Sequence, residues 1–159
     1  MEFNLVDKKW IPCLMLKDSR AEELSLRETL IDAHKISEVF DNSPLVTVSL
    51  HRLLLAILHR NFGPASFGKW RELWKEKKWN AEKLNQYFDE QKHRFNLFDE
   101  ERPFYQTTTI KSGKGEEVKT KPVSALAQEM AGGNNATLFD HNFETLGKSF
   151  SPNSTRKTN

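Results

Sequence analysis

Asn42-Ser43-Pro44-Leu45-Val46-Thr47-Val48-Ser49-Leu50-His51-Arg52-Leu53-Leu54-Leu55-Ala56-Ile57-Leu58-His59-Arg60-Asn61-Phe62-Gly63-Pro64 carries the strongest helix signal in the chain. Ser43 can cap, Pro44 fits a first turn in which its missing N–H has no intrahelical partner to lose, and Gly63-Pro64 ends the run. Between these marks Leu45, Val48, Leu50, Leu53, Leu54, Ile57 and Leu58 recur at helical spacing, which predicts the central helix of the domain. The apolar stretch from Leu50 to Leu58 is broken by His51 and Arg52 and is too short to span a bilayer. No secretory signal is legible, and no membrane partner is expected.

Upstream, Phe3 to Val6 and Trp10 to Leu16 read as two short strands joined by Asp7-Lys8-Lys9, an N-terminal β-hairpin in which Pro12 calls for an edge position or a bulge. Ser25 and Glu28 form a capping-box pair, and Leu26, Leu30 and Ala33 continue it at helical spacing. Ile36 to Phe40 then reads as extended. Downstream, helices are predicted from about Ser66 to Lys77 and from about Asn80 to Lys92. Phe95, Leu97, Phe98, Phe104 and Tyr105 around Asp99-Glu100-Glu101 predict an irregular segment pinned by aromatic rings. Thr107 to Lys121 reads as a polar loop or weak hairpin, and Pro122 to Met130 as a short helix. The fold class is therefore α+β: an N-terminal β-hairpin packed on a mainly helical domain spanning residues 1–150, followed by an expected disordered tail, 151–159.

Hydrophobic residues at 37% and charged residues at 29%, with eleven Phe, four Trp and two Tyr, describe a globular composition able to build a packed core. The formal net charge is only +2, so a nucleic-acid surface has to come from the placement of charges and not from their sum. Cys13, the single cysteine, excludes an internal disulfide and a cysteine-based zinc site within one chain, reads as a small core residue and fits a reducing cytoplasm.

Ala131-Gly132-Gly133-Asn134-Asn135-Ala136-Thr137-Leu138-Phe139-Asp140-His141 is the richest candidate site. Two glycines free the backbone for positive φ and close approach, two amides offer donors and acceptors, and Phe139 offers a flat face that a nucleotide base can stack on. The competing reading is a helix end whose Leu138 and Phe139 fold back as core anchors. Elsewhere the chemistry thins out. His51 and His59 are too far apart on one helix to share an ion, and His34 and His93 have no nucleophile or carboxylate pair beside them. Asp140-His141-Asn142 lacks the flanking metal-ligand pattern of a nuclease, and Lys111-Ser112-Gly113-Lys114-Gly115 lacks phosphate-loop spacing. No cofactor or metal is expected. The Trp70 to Trp79 segment, with Lys69, Arg71, Lys75, Lys77 and Lys78 interleaved, reads first as a core stripe with a solvated basic side; the alternative is a basic aromatic face for nucleic acid.

Four pieces in this order resemble one family: Phe3-Asn4-Leu5-Val6-Asp7-Lys8-Lys9-Trp10-Ile11-Pro12, the helix Leu50 to Leu58, Arg102-Pro103-Phe104-Tyr105-Gln106-Thr107, and Asn134-Asn135-Ala136-Thr137-Leu138-Phe139-Asp140-His141. They resemble the N-terminal part of the large subunit of the type I-E CRISPR surveillance complex, Cascade, known as the CasA family. The resemblance runs from Met1 to about Pro152. It implies a non-catalytic subunit that touches the 5′ handle of the guide RNA and neighbouring Cascade subunits, helps recognise the motif flanking the target DNA, and offers a landing surface for the helicase-nuclease. On this resemblance Asn134, Asn135, Thr137, Leu138, Phe139 and His141 form the nucleic-acid-binding set, with Phe139 stacking or anchoring.

Family members continue past Ser151-Pro152 into the elements that read the flanking motif and into a helical bundle. Contacts with target DNA and with the helicase-nuclease are therefore expected only through elements that this chain does not carry. Besides a fragment of a Cascade subunit, the ending at Asn159 admits a truncated derivative that competes for complex assembly. A small metal-dependent nuclease using Asp140 and His141 is a third reading.

Overall fold

The computed structural model describes residues 2–107. In chain order they form strands β1 (Ile11–Met15) and β2 (Ala21–Leu24), helix α1 (Leu26–Ile31), a 3₁₀ turn at Ala33–Lys35, strand β3 (Ile36–Val39), helices α2 (Pro44–Phe62), α3 (Phe67–Glu76) and α4 (Ala81–Gln91), and a second 3₁₀ turn at Lys92–Phe95. The fold is α+β, with the strands in one antiparallel sheet of order β2-β1-β3. No helix among these residues is long and apolar enough to cross a membrane.

The hairpin is built from other residues than those predicted. β1 pairs with β2, Ile11 opposite Leu24 and Leu14 opposite Ala21. Its turn is closed by the Ser19 N–H donating to the Met15 carbonyl (3.0 Å), with Ser19 at φ 52°. Pro12 is not on an edge strand, because β1 lies between β2 and β3. It sits where the β3 ladder stops: the Pro12 carbonyl accepts from the Phe40 N–H (3.1 Å), but the ring nitrogen has no hydrogen to return. The register shift on this strand falls at Leu14/Met15. Ile36–Val39 is extended, as predicted.

Phe3 to Val6 is no strand; it is a buried plug whose polar groups are claimed from several sides. The first free N–H groups of α1, those of Leu26 and Arg27, donate to the carbonyls of Leu5 and Val6, each at 3.2 Å. The Leu5 N–H donates to the Phe95 carbonyl (2.9 Å) and the Leu97 N–H to that of Phe3 (3.0 Å). Asn4, itself buried, donates from Nδ2 to the Lys92 carbonyl (2.8 Å) and accepts from the Val6 N–H (3.0 Å). Trp10 Nε1 adds a bond to the Leu5 carbonyl (2.9 Å). With so many partners already engaged, the plug has no reason to pair as a ladder.

The helices follow the local chemistry more closely. The capping box of α1 forms: the Glu28 N–H donates to Ser25 Oγ (3.2 Å), and the Ser25 N–H to Glu28 Oε2 (2.8 Å). Ser66 and Asn80 cap α3 and α4 through their side-chain oxygens. Pro44 opens α2 as predicted, but the Ser43 side chain makes no cap bond; Thr47 Oγ1 takes the nearby Asp41 N–H instead (2.9 Å). Gly63 closes α2, where a Cβ would lie 2.5 Å from the His59 carbonyl oxygen.

The core gathers Val6, Ile11, Cys13 and Leu26 beneath Leu50, Leu54 and Ile57 of α2 and Leu84 and Phe88 of α4. Cys13 is a core residue, and burial pushes its thiol up to about 11, against a smaller downward pull from a hydrogen bond with Thr29. Phe104 stacks on Phe95 (5.2 Å between centroids), so an aromatic pin does hold the irregular segment, while Phe98 and Tyr105 stay exposed. The tryptophan stripe does not enter the core: α3 buries no residue, with Phe67 at 67%, Trp70 at 45% and Trp74 at 74% exposure. Among the described residues its apolar face looks across an open groove at the C-terminal half of α2, which leaves it uncovered. Trp79, just beyond it, is half-buried and stacks on Phe62 (5.2 Å).

Candidate functional site

Asn134, Asn135, Thr137, Leu138, Phe139 and His141, the predicted binding set, lie outside the described residues, as do Asp140, the Lys111 to Gly115 segment and residues 151–159. Within the described part, three of the four sequence pieces that carry the resemblance can be placed. The first and third are tied to one intervening segment, Asn96–Leu97. Asn4 bridges to Asn96, the Phe104 N–H donates to the Asn96 carbonyl (2.9 Å), and Gln106 Nε2 donates to the Leu97 carbonyl (2.8 Å). The second piece, in α2, supplies Leu50, Leu54 and Ile57 to the core beside them.

Beside this junction a charge network ties the N-terminal turn to two helices. Arg27 donates from Nη1 to Asn85 (2.7 Å), from Nη2 to Asp89 (2.7 Å) and from Nε to Asp7 (3.3 Å). Lys92 Nζ approaches the other Asp7 oxygen at 2.5 Å, and that hydrogen bond, aided by the charges of Lys92 and Arg27, holds the Asp7 carboxyl below its ordinary value against an opposing desolvation. The Arg27 guanidinium also lies 5.5 Å from the centre of the Phe88 ring. Two cations face two carboxylates here, so the cluster is self-neutralised and acts as a staple; it leaves no net charge to attract a phosphate.

The third feature is a groove of about 800 Å³ between α2 and α3. Leu55, Leu58 and Phe62 from α2 face Trp70, Leu73 and Trp74 from α3, with His34, His59, Lys77 and Lys78 around them. The rings of Phe67, Trp70 and Trp74 run as a stacked series, 5.6 and 5.7 Å between successive centroids and inclined by 17° and 21°. The sequence carries a signal for this surface, the interleaved lysines, which suit a solvated helix better than a core one. The Arg27 network has no local signal, since its partners are far apart along the chain. Among the described residues no group of three or more His, Cys, Asp or Glu side chains converges to hold a metal ion.

The sequence and fold are those of a known class of CRISPR-associated protein. The sequence profile of CRISPR-associated protein Cse1 matches residues 4–155. A CRISPR-associated protein CasA/Cse1 from Thermus thermophilus is 38% identical over 144 residues, covering 90% of this chain and 27% of that protein. The structure of Thermus thermophilus CasA (Cse1) superposes with a TM-score of 0.66 at 34% identity, covering 79% of this chain and 25% of that one. A chain of a CRISPR RNA-guided surveillance complex, pre-nicking, reaches a TM-score of 0.78 at 26% identity, over 92% of this chain and 30% of that one. The chain belongs to the Cse1 family, also called CasA. It spans 27% of the length of its curated relative.

Proposed function

We propose that this chain is the N-terminal part of the large, non-catalytic subunit of a type I-E Cascade complex and docks where the 5′ handle of the guide RNA meets neighbouring subunits. The observation that carries the reading is the likeness to a chain of an RNA-guided surveillance complex over 92% of this sequence. The family match over residues 4–155 takes in the Asn134 to His141 segment as well. In this reading Phe139 stacks on a base or anchors against a neighbouring subunit, Leu138 packs beside it, and Asn134, Asn135, Thr137 and His141 offer polar contacts to RNA or to that subunit. Target-flank reading and recruitment of the helicase-nuclease fall to family elements outside this sequence.

The test is a pull-down of the full chain with a guide-bearing complex lacking its large subunit, using guide RNA with and without the 5′ handle. Association that requires the handle and drops at least about tenfold in Phe139→Ala, on the scale of one lost base stack, supports the reading. Association indifferent to both removes it.

A further inference from the structure

We propose that the α2–α3 groove is a second nucleic-acid site, one that holds single-stranded nucleic acid by stacking a base on the Trp70–Trp74 pair with adjacent phosphates on Lys77 and Lys78. The proposal does not depend on the handle reading above, since none of its residues lies in the Asn134 to His141 segment. Three observations carry it.

The first is the geometry of the rings. Phe67, Trp70 and Trp74 lie at intervals of three and four on one helix face, nearly parallel, and Trp74 keeps most of its surface open at 74% exposure. An indole held flat by a neighbour is already ordered, so a base that stacks on it loses little further side-chain freedom. The second is charge. No carboxylate is among the described residues lining this groove, whereas Lys77, Lys78, His34 and His59 are. The acids of the same helix, Glu72 and Glu76, line the neighbouring cavity together with Asp32 and Glu82. His34 and Lys78 line both spaces, and Lys69 and Lys83 stand with the acids at the second; the difference is that the groove sets aromatic rings beside bases with no described carboxylate, while the neighbouring cavity mixes both signs. Among the described residues, a polyanion meets no like charge in the first and four carboxylates in the second. The third is position. Lys77 and Lys78 follow directly on the C-terminal end of α3, where Trp74 lies, and line the same groove, so a strand stacked on that ring has two cations beside it for its phosphates.

The site as proposed uses stacking and phosphate contact, which every strand offers whatever its sequence. The test uses the full chain and a labelled oligo(dT) of about 12 nucleotides, a length within the span of single-strand sites. Binding is followed by anisotropy and by quenching of tryptophan fluorescence between about 50 and 200 mM salt, where phosphate contacts respond most clearly. The wild type should bind, and Trp74→Ala should weaken binding about tenfold. The double variant Lys77→Ala/Lys78→Ala should reduce the salt slope by about 1.4, the single-strand value for two lost phosphate contacts. Phe139→Ala should leave this binding unchanged, which separates the proposal from the handle reading. Because α3 buries no residue, circular dichroism of the groove variants should match the wild type. No binding by the wild type, equal binding by Trp74→Ala, or binding with an unchanged salt slope in the lysine variant overturns the proposal. So does sedimentation showing self-association that Trp74→Ala abolishes, which would make the face a contact between copies.

Discussion

Phe88 on α4 and Trp74 on α3 are large aromatic residues on neighbouring helices, each flanked by further rings, yet Phe88 is fully buried and Trp74 is 74% exposed. The difference lies in what each helix is given to face. Phe88 meets Phe95 and Tyr87 edge to face, and it is roofed by the Arg27 guanidinium, whose partners Asp7, Asn85 and Asp89 draw the N-terminal turn, α1 and α4 together. Trp74 stacks on Trp70 and faces α2 across an open groove. A ring at helical spacing thus says that one face of a helix is apolar. Whether that face is closed depends on distant polar groups that need one another.

The comparison can be broken from its buried side first. Phe88→Ala should destabilise the chain by about 3–5 kcal/mol, since it removes a fully enclosed ring and leaves a cavity beneath Phe95. Urea unfolding of the full chain measures it, and a loss below about 1 kcal/mol would mean the ring is not enclosed. Asn4→Ala follows at about 1–3 kcal/mol, because the Val6 N–H and the Lys92 carbonyl both lose their partner in a buried setting. An unchanged midpoint would show that water reaches the plug.

Asp7 sharpens the same contrast through pH. Its folded pKa is depressed below the ordinary value of 3.8, chiefly by the Lys92 hydrogen bond, so its contribution is present above that value and lost as pH falls through the folded one. The side chain is 40% exposed, and solvent screening holds the contribution to no more than about 1 kcal/mol. Asp7→Asn should therefore be less stable than the wild type at neutral pH and converge with it in acid. Parallel curves throughout the acid range would contradict the staple.

What is legible in the sequence is local. The capping box at Ser25, the Pro44 start and Gly63 end of α2, and the Ser66 and Asn80 caps each involve residues within one turn of each other, so their chemistry can be read without the fold. What stays hidden is set at a distance. Phe3 to Val6 reads as a strand, but the Leu5 and Val6 carbonyls are taken by the start of α1, the Phe3 carbonyl by Leu97 and the Leu5 amide by Phe95, pairings no window of sequence contains. Pro12 escapes the edge-strand rule for a related reason: a central strand tolerates proline where one of its two ladders has already ended. The tryptophan stripe lies outside the core because helical spacing records an apolar face and not the presence of a cover for it. The Asn134 to His141 segment is legible as a motif through its amides and lone ring after Gly132 and Gly133, and its placement lies outside the described residues.

The most direct test of the contrast between a closed core side and an open aromatic side is the unfolding free energy of Trp70→Ala/Trp74→Ala, measured beside the wild type in urea. Two rings that stack with Phe67 in an exposed series on α3 should cost no more than about 0.5 kcal/mol each when removed. A loss approaching that of Phe88→Ala would place both rings inside the fold and contradict the account.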